Sequence, residues 1–329
     1  MQGTPCNCFN PVSNTIEVYD PGTGTWSAPK DMPATFNYLF YPWLYLLPDG
    51  ELFIGGPQAV TRKFDWTANP ILDDPAKQWP TNKGDRGDNM NGTSVLLTLR
   101  PPDYKPVILI MGGSPMAVRK STEVMDLSVP APGWVNGPDL KQDRVNCTSV
   151  LLPNGHVFIA GGIFGIPDGG PVETLDTKNI AAGWQVGPKL AFPRLYHSSM
   201  ILLPDGSVFI GGDDDGPDPC ERYFPAYYNQ PRPQILNAPP NVAYGAAFTI
   251  QTPQAAAIAE VILMRPGAVT HGFDMSQRAI ELAITVSGVG TVDVSAPPNA
   301  NIAPPGFYLL FILDGNRVPS EGRWILLTP

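Results

Sequence analysis

Residues 199–212 read SMILLPDGSVFIGG. An apolar run, a Pro-Asp-Gly, a second apolar run and a Gly-Gly describe two strands joined by a tight turn and closed where another backbone approaches. The phrase occurs three more times upstream: YLLPDGELFIGG at 45–56, SVLLTLRPPDYKPVILIMGG at 94–113 and SVLLPNGHVFIAGG at 149–162. The second of these exchanges the tight turn for a longer loop. The glycine pairs begin at Gly55, Gly112, Gly161 and Gly211, so they are 57, 49 and 50 residues apart. A period of about 50 residues is that of a kelch-type propeller blade. The fold class that follows is all-β, a kelch-type β-propeller.

Upstream of the first copy, TIEVYDPGTGTWSAP (15–29) carries a Tyr-Asp-Pro and Trp26 of the kind that end such a blade, with Trp134 and Trp184 in similar places. The chain therefore starts inside a blade, and part of one blade plus roughly four more fit before residue 230. Unpaired strand edges invite association. Either a segment ahead of Met1 or another chain completes the propeller, or it closes with fewer blades than usual. From Arg232 the rhythm changes to strands at sandwich spacing, among them EVILMRPGAVTH, RAIELAITVSG and PPGFYLLFILDGNRVPSEGRWILL. Residues 1–230 are accordingly read as propeller blades and 231–329 as an immunoglobulin-like β-sandwich.

Composition narrows the function. The 329 residues are 43% hydrophobic, enough for a large core, and the 33 glycines and 39 prolines suit short strands and tight turns. A formal charge of −9 repels phosphate backbones, and no basic stripe with interleaved aromatics tracks a strand, so nucleic acid is excluded as a partner. No apolar run approaches the roughly 18 residues of a membrane helix. The start MQGTPCNC is not a signal peptide. Two glycosylation sequons, Asn91-Gly92-Thr93 and Asn146-Cys147-Thr148, fit a secreted protein. Cys6, Cys8, Cys147 and Cys220 follow neither a zinc pattern nor a disulfide framework.

Only three histidines are present. One, His197, follows Tyr196 directly ahead of the fourth copy of the repeat, and a second, His271, stands in VILMRPGAVTHGFDM. Imidazole and phenolate suit copper better than magnesium or calcium, and Tyr196, His197 and His271 look like three metal ligands. The alternative is a histidine that caps a turn and another that is a satisfied, half-buried side chain. His197 precedes its turn proline, Pro204, by seven residues, and Tyr41 precedes Pro48 by seven. Asn91 and Asn146 fall at the same place in the two copies between. Tyr41 is thereby placed near the axis. Arg144 and Arg194, each just ahead of a copy, either hold substrate oxygens or pair with a neighbouring-blade carboxylate. Asp213-Asp214-Asp215 lacks a regular calcium loop. His156 follows a turn glycine and is a surface residue.

These segments resemble the galactose oxidase and glyoxal oxidase family of copper radical oxidases, most specifically in RLYHSSMILLPDG, ERYFPAYY, RPGAVTHGFDMSQRAIEL and PPGFYLLFILDGNRVPSEGRWI. The resemblance implies a seven-bladed propeller and a sandwich whose loop brings His271 through the axis to a copper ion. It implies Tyr196 as axial ligand and general base, His197 as equatorial ligand, and an aldehyde, primary alcohol or carbohydrate oxidised as oxygen becomes peroxide. The family's second tyrosine, cross-linked to a cysteine, has no evident copy. Tyr41 with Cys6 or Cys8 is the nearest candidate, but Tyr41 also matches the Tyr-Pro that opens the family's next blade. A noncatalytic binding or structural module that has lost the Tyr-Cys cofactor is the alternative. The resemblance also implies an extracellular, secreted protein.

Overall fold

The computed structural model describes residues 14–20, 22–36, 41–87, 91–113, 119–163, 165–166, 168–212 and 219–329. Cys6, Cys8 and Asp213 to Asp215 lie outside them.

Each copy of the repeat is an antiparallel sheet. The first blade pairs Leu44–Leu46, Leu52–Ile54, Val60–Phe64 and Gln78–Pro80 in sequence order. The second pairs Gly92–Leu96, Val107–Gly112, Thr122–Asp126 and Val135–Asn136. The third pairs Thr148–Leu151, His156–Ala160, Pro171–Asp176 and Gln185–Lys189, and the fourth pairs Ser199–Leu202, Val208–Gly211 and Glu221–Tyr223. Ahead of them, Thr15–Ile16 pairs with Lys30–Asp31 and Tyr19–Asp20 with Thr25–Trp26.

The glycine pairs have a steric cause. Gly161 and Gly162 have φ of 71° and 77°, and a Cβ on either would stand 2.5 Å from a carbonyl oxygen, of Arg194 or of Val145. That close approach lets Gly162 N donate to Arg194 O at 2.7 Å, which stitches the third blade to the fourth. The tryptophans fill the wedges between blades. Trp134 Nε1 donates to Thr61 Oγ1 of the first blade, and Trp184 Nε1 to Pro138 O. Trp26, the third of the set, is exposed.

A recurring ion pair closes each of the last three blades. Arg86, Arg144 and Arg194 are all buried, and they meet Glu123, Glu173 and Glu221 at 2.6, 2.9 and 3.2 Å. Each glutamate sits on the third strand, opposite Ile110, Ile159 or Ile210. Each arginine also donates to the carbonyl of the blade's glycine pair: Gly112, Gly161 or Gly212. The carboxylates take a backbone N–H from the chain entering the blade, of Asn82, Lys141 or Ala191. In the first blade the matching register position opposite Ile54 is Arg62, which pairs with Asp73 instead.

Beyond residue 232 a five-stranded sheet, in the order Asn241–Ala243, Arg323–Thr328, Gly306–Asp314, Ile258–Met264, Ala279–Glu281, faces a three-stranded one of Ala247–Gln251, Thr291–Ser295 and Ala283–Gly288. One buried cluster runs from Trp43 and Phe53 of the first blade into Ile250, Val261 and Ile312 of the sandwich. A second joins Val95 and Leu151 to Ile262 and Phe311.

The sandwich is fastened to the inner-strand turns of all four blades. Arg278 donates to Leu46 O; Leu99 N donates to Ala279 O, and Glu281 N to Leu99 O. Arg317 donates to Asn154 O in the turn of the third blade and grips both Asp176 oxygens at the end of its third strand, while Arg232 donates to Asp205 O and Gly322 N to Pro204 O. His197 and Tyr41 lie ahead of the opposite, starting ends of the inner strands.

Candidate metal centre

A two-residue hairpin projects from the sandwich between the blades. Val269–Thr270 pairs with Phe273–Asp274, leaving His271 and Gly272 as the turn, with φ of 51° and 76°. Positive φ at both central residues is the primed turn that matches strand twist, and glycine in the second place is its usual requirement. Gly272 fits for a further reason, since a Cβ there would lie 2.6 Å from Cys147 O. The finger is held by its own carbonyl: Thr93 Oγ1 lies 2.7 Å from Gly272 O and 2.7 Å from Ser149 Oγ, linking it to the second and third inner strands. Phe273 is buried against Tyr45, with ring centroids 5.4 Å apart at 87°.

This hairpin delivers His271 to His197. Their Nε2 atoms are 2.9 Å apart. Thr270 Oγ1 lies 2.7 Å from His271 Nδ1, so Nδ1–H can donate to the hydroxyl while Nε2 keeps a lone pair. Tyr196 covers His197, ring centroids 3.8 Å apart, and reaches 5.5 Å from the ring of His271. Tyr41 stacks on His271 at 3.8 Å and 16°. The three residues named as ligands from sequence are therefore brought together, from a blade entrance and a sandwich hairpin 74 residues apart.

His197 has φ of 63°, and Asn146, at the same place in the third blade, has 58°. Non-glycine residues adopt this conformation uncommonly, and it turns the side chain away from the strand that follows. The third and fourth copies share this left-handed entrance, filled by asparagine in one and histidine in the other. Asn146 Oδ1 is buried without a hydrogen-bond partner.

Two other expectations need correcting. Arg144 and Arg194 do not face substrate: their guanidiniums are consumed inside their own blades, at relative exposures of 0% and 1%. The carboxylate partner sits on the third strand of the same blade, because the chain entering each blade must have its orphan N–H groups and the glycine carbonyl satisfied in a dry interior. The set has a third member, Arg86, ahead of the second blade. In both sequons the threonine is buried, Thr93 and Thr148 at 0% exposure, while the acceptors Asn91 and Asn146 are half-buried. His156 is half-buried, its imidazole 3.9 Å from Asp176, and burial pushes its pKa down.

The cysteines divide by burial. Cys220 is exposed, while Cys147 is fully buried beside the finger, and burial pushes its thiol up to about 12. The finger residue Asp274 takes the N–H groups of Ala268 and Ser276 on one oxygen, and burial raises its pKa.

The glyoxal oxidase N-terminus profile matches residues 30–224, and the galactose oxidase-like early set domain matches residues 232–327. The chain belongs to the galactose oxidase and glyoxal oxidase family. Among its relatives, aldehyde oxidase GLOX of Vitis pseudoreticulata is 28% identical over 97% of this chain and 68% of its own length. Galactose oxidase of Gibberella zeae is 29% identical over 95% of this chain and 50% of its own. The chain thus spans about half to two thirds of the length of these curated relatives. A solved fungal alcohol oxidase of the AA5 family, in complex with copper, superposes with a TM-score of 0.79 at 23% identity, over 96% of this chain and 70% of that one. That likeness establishes the shared all-β fold. Within the family frame the kelch-type blades and the immunoglobulin-like early set domain are the expected pair. Among the described residues no helix is long and apolar enough to cross a membrane.

Proposed function

We propose that this chain supplies Tyr196, His197 and His271 as ligands to a copper(II) ion in an oxidase that acts on an aldehyde, a primary alcohol or a sugar. In that reaction two electrons and two protons leave the substrate and reduce O2 to H2O2. The observation that carries the reading is the 2.9 Å between the two Nε2 atoms. Two imidazole nitrogens that converge at this spacing could both hold one ion. Two imidazoles with a phenol are also a donor set that suits copper(II). Family membership supports the same metal.

When bound, copper supplies one-electron redox chemistry and polarises a substrate oxygen. The side chains of this protein do the rest. Thr270 fixes the His271 ring through Nδ1, Tyr41 covers one face of it, and the Thr93–Gly272 bond fixes the depth of the finger. Tyr196 would take a proton from a substrate oxygen as general base. We place the divide between propeller and sandwich at residues 1–230 and 231–329, and the protein in the extracellular space, where substrates of this class and oxygen meet. Tyr41 is not assigned as the family's radical tyrosine, because it matches the Tyr-Pro that opens the family's next blade.

Copper titration against a competing chelator tests the site. His197→Ala and His271→Ala are each expected to abolish binding; unchanged affinity in both would sink the assignment. Peroxide release from glyoxal, methylglyoxal or galactose, after copper loading and mild oxidation, tests the oxidase. Copper binding without any peroxide would instead support a noncatalytic module.

A further inference from the structure

A polar cavity lies at the root of the finger. It has a volume of about 130 Å³ and is bounded by the inner strand of the first blade and by Arg265, Asp274, Gln277 and Arg278 of the sandwich. Arg278 is 5% exposed. Its Nη2 donates to Leu46 O at 2.8 Å and to Asn301 O at 3.2 Å, both neutral acceptors. Its Nη1 is buried without a partner, and so are both amide atoms of Gln277. Three orphaned polar atoms in adjacent residues are unusual in an interior where buried polar groups are nearly always paired. Burial lowers the pKa of Arg278 to about 10, with Arg265 adding to the effect, so the guanidinium remains charged at neutral pH.

The charges do not balance among the groups lining the cavity. Two guanidiniums, Arg265 and Arg278, face it with one carboxylate, Asp274, which already accepts N–H groups from Ala268 and Ser276. One positive charge is left over. Guanidiniums bind oxyanions through forked N–H pairs, and the Gln277 nitrogen adds another donor. The Gln277 oxygen, in turn, needs a donor from whatever sits there. At about 30 Å³ per water, the volume suits a guest of four or five heavy atoms.

We propose that this cavity binds a small oxyanion that carries one hydroxyl, the class to which hydrogenphosphate and 2-hydroxycarboxylates belong. The anion accepts from Arg278, Arg265 and the Gln277 nitrogen, and its hydroxyl donates to the Gln277 oxygen. The site is separate from the histidine pair and does not depend on copper. Because Asp274 closes the base of the hairpin that ends in His271, an occupied site also stiffens the finger.

The test uses the full chain without metal, at constant ionic strength, with glycolate, inorganic phosphate, acetate and chloride compared by thermal unfolding and calorimetric titration. Glycolate or phosphate is expected to raise Tm saturably, beyond acetate and chloride. Arg265→Met and Gln277→Leu should each weaken that binding at least tenfold while unfolding normally in chloride alone. Arg278 is left intact because it also ties Leu46 to Asn301. If neither glycolate nor phosphate exceeds acetate and chloride, or if both variants bind as tightly as the native chain, the proposal fails. Neither result touches the copper assignment, which is read by the chelator titration.

Discussion

Gly272→Ala and Gly290→Ala form a matched pair that isolates what the finger contact is worth. The two glycines have nearly the same backbone, with φ of 76° and 77°. At Gly290 a Cβ would meet nothing within 4 Å, whereas at Gly272 it would stand 2.6 Å from Cys147 O and 3.4 Å from Gly92 O. Both substitutions carry the left-handed penalty of about 1–2 kcal/mol for an L-residue. Only Gly272→Ala adds a collision with main chain, and relieving it means moving the hairpin tip by about 0.8 Å to reach ordinary contact. Overpacking of this kind costs about 1–3 kcal/mol more. Urea denaturation should therefore show a loss of about 1–2 kcal/mol for Gly290→Ala and about 2–5 kcal/mol for Gly272→Ala. The shift also stretches the Thr93–Gly272 bond from 2.7 Å toward about 3.5 Å, the edge of hydrogen-bonding reach, and carries His271 away from His197. Chelator competition should then show copper affinity falling at least tenfold in Gly272→Ala and unchanged in Gly290→Ala. Equal losses of stability together with native copper affinity in both would refute the account of the finger as a wedged, position-setting element.

Three further outcomes follow from the same geometry. Glu173→Leu alone should cost about 3–5 kcal/mol, because it strands the charge of Arg144 in a dry interior, and the double variant with Arg144→Met should cost about 2 kcal/mol less than the two singles summed; denaturation of the four proteins measures that coupling. Asp176 is held at about 2 by the hydrogen bonds of Arg317. A depressed carboxylate contributes stability at all pH above its ordinary value of 3.8 and loses it as pH falls toward 2, so Arg317→Met should flatten that limb of the acid-unfolding curve by about 1 kcal/mol, a figure reduced for solvent screening. Tyr41→Phe should leave copper affinity intact and Tyr41→Ala should weaken it by up to about tenfold, the worth of one aromatic stack; loss of turnover in Tyr41→Phe with copper still bound would show instead that its hydroxyl takes part in the chemistry.

Much of this was legible because the repeat is local. A strand, a turn and a glycine pair are written in consecutive residues, and so the four blades and the change of rhythm at Arg232 could be read directly. Tyr196, His197 and His271 stood out through the scarcity of histidine and their places relative to turns. Arg144 and Arg194 were readable only as far as two alternatives. Their location ahead of a strand is the same whether the guanidinium points to a channel or back into the blade. What decides is the glutamate 29 residues beyond Arg144 and 27 beyond Arg194, and that distance has no period to betray it. The recurrence of an arginine ahead of three blades, with a glutamate on each third strand, was the available signal. The cavity at the finger root was not legible at all, since Leu46, Asn301 and Arg278 meet only through tertiary packing.

A site divided between two structural units raises a problem of precision. In the proposed copper site His197 and His271 must hold their nitrogens at a fixed spacing, yet they hang from different sheets, and an error of an ångström would detach His271 and leave only Tyr196 and His197. The fastening of the sandwich to all four blade turns is the physical answer. Two of the ties, Arg278 to Leu46 O and Leu99 to Ala279 and Glu281, are anchored within ten residues of the finger. The other two, Arg317 to Asp176 and Arg232 to Asp205 O, lie on the far blades and resist rotation of the sandwich about the finger. Fixing the root at several points lets a hairpin of six residues carry its tip to a defined depth. The backbone of that tip is fixed in turn by a primed turn that only a glycine in second place completes easily. The geometry of the histidine pair is thus set by main-chain constraints, and the blades need supply no more than an imidazole in a left-handed conformation at the entrance of the fourth inner strand.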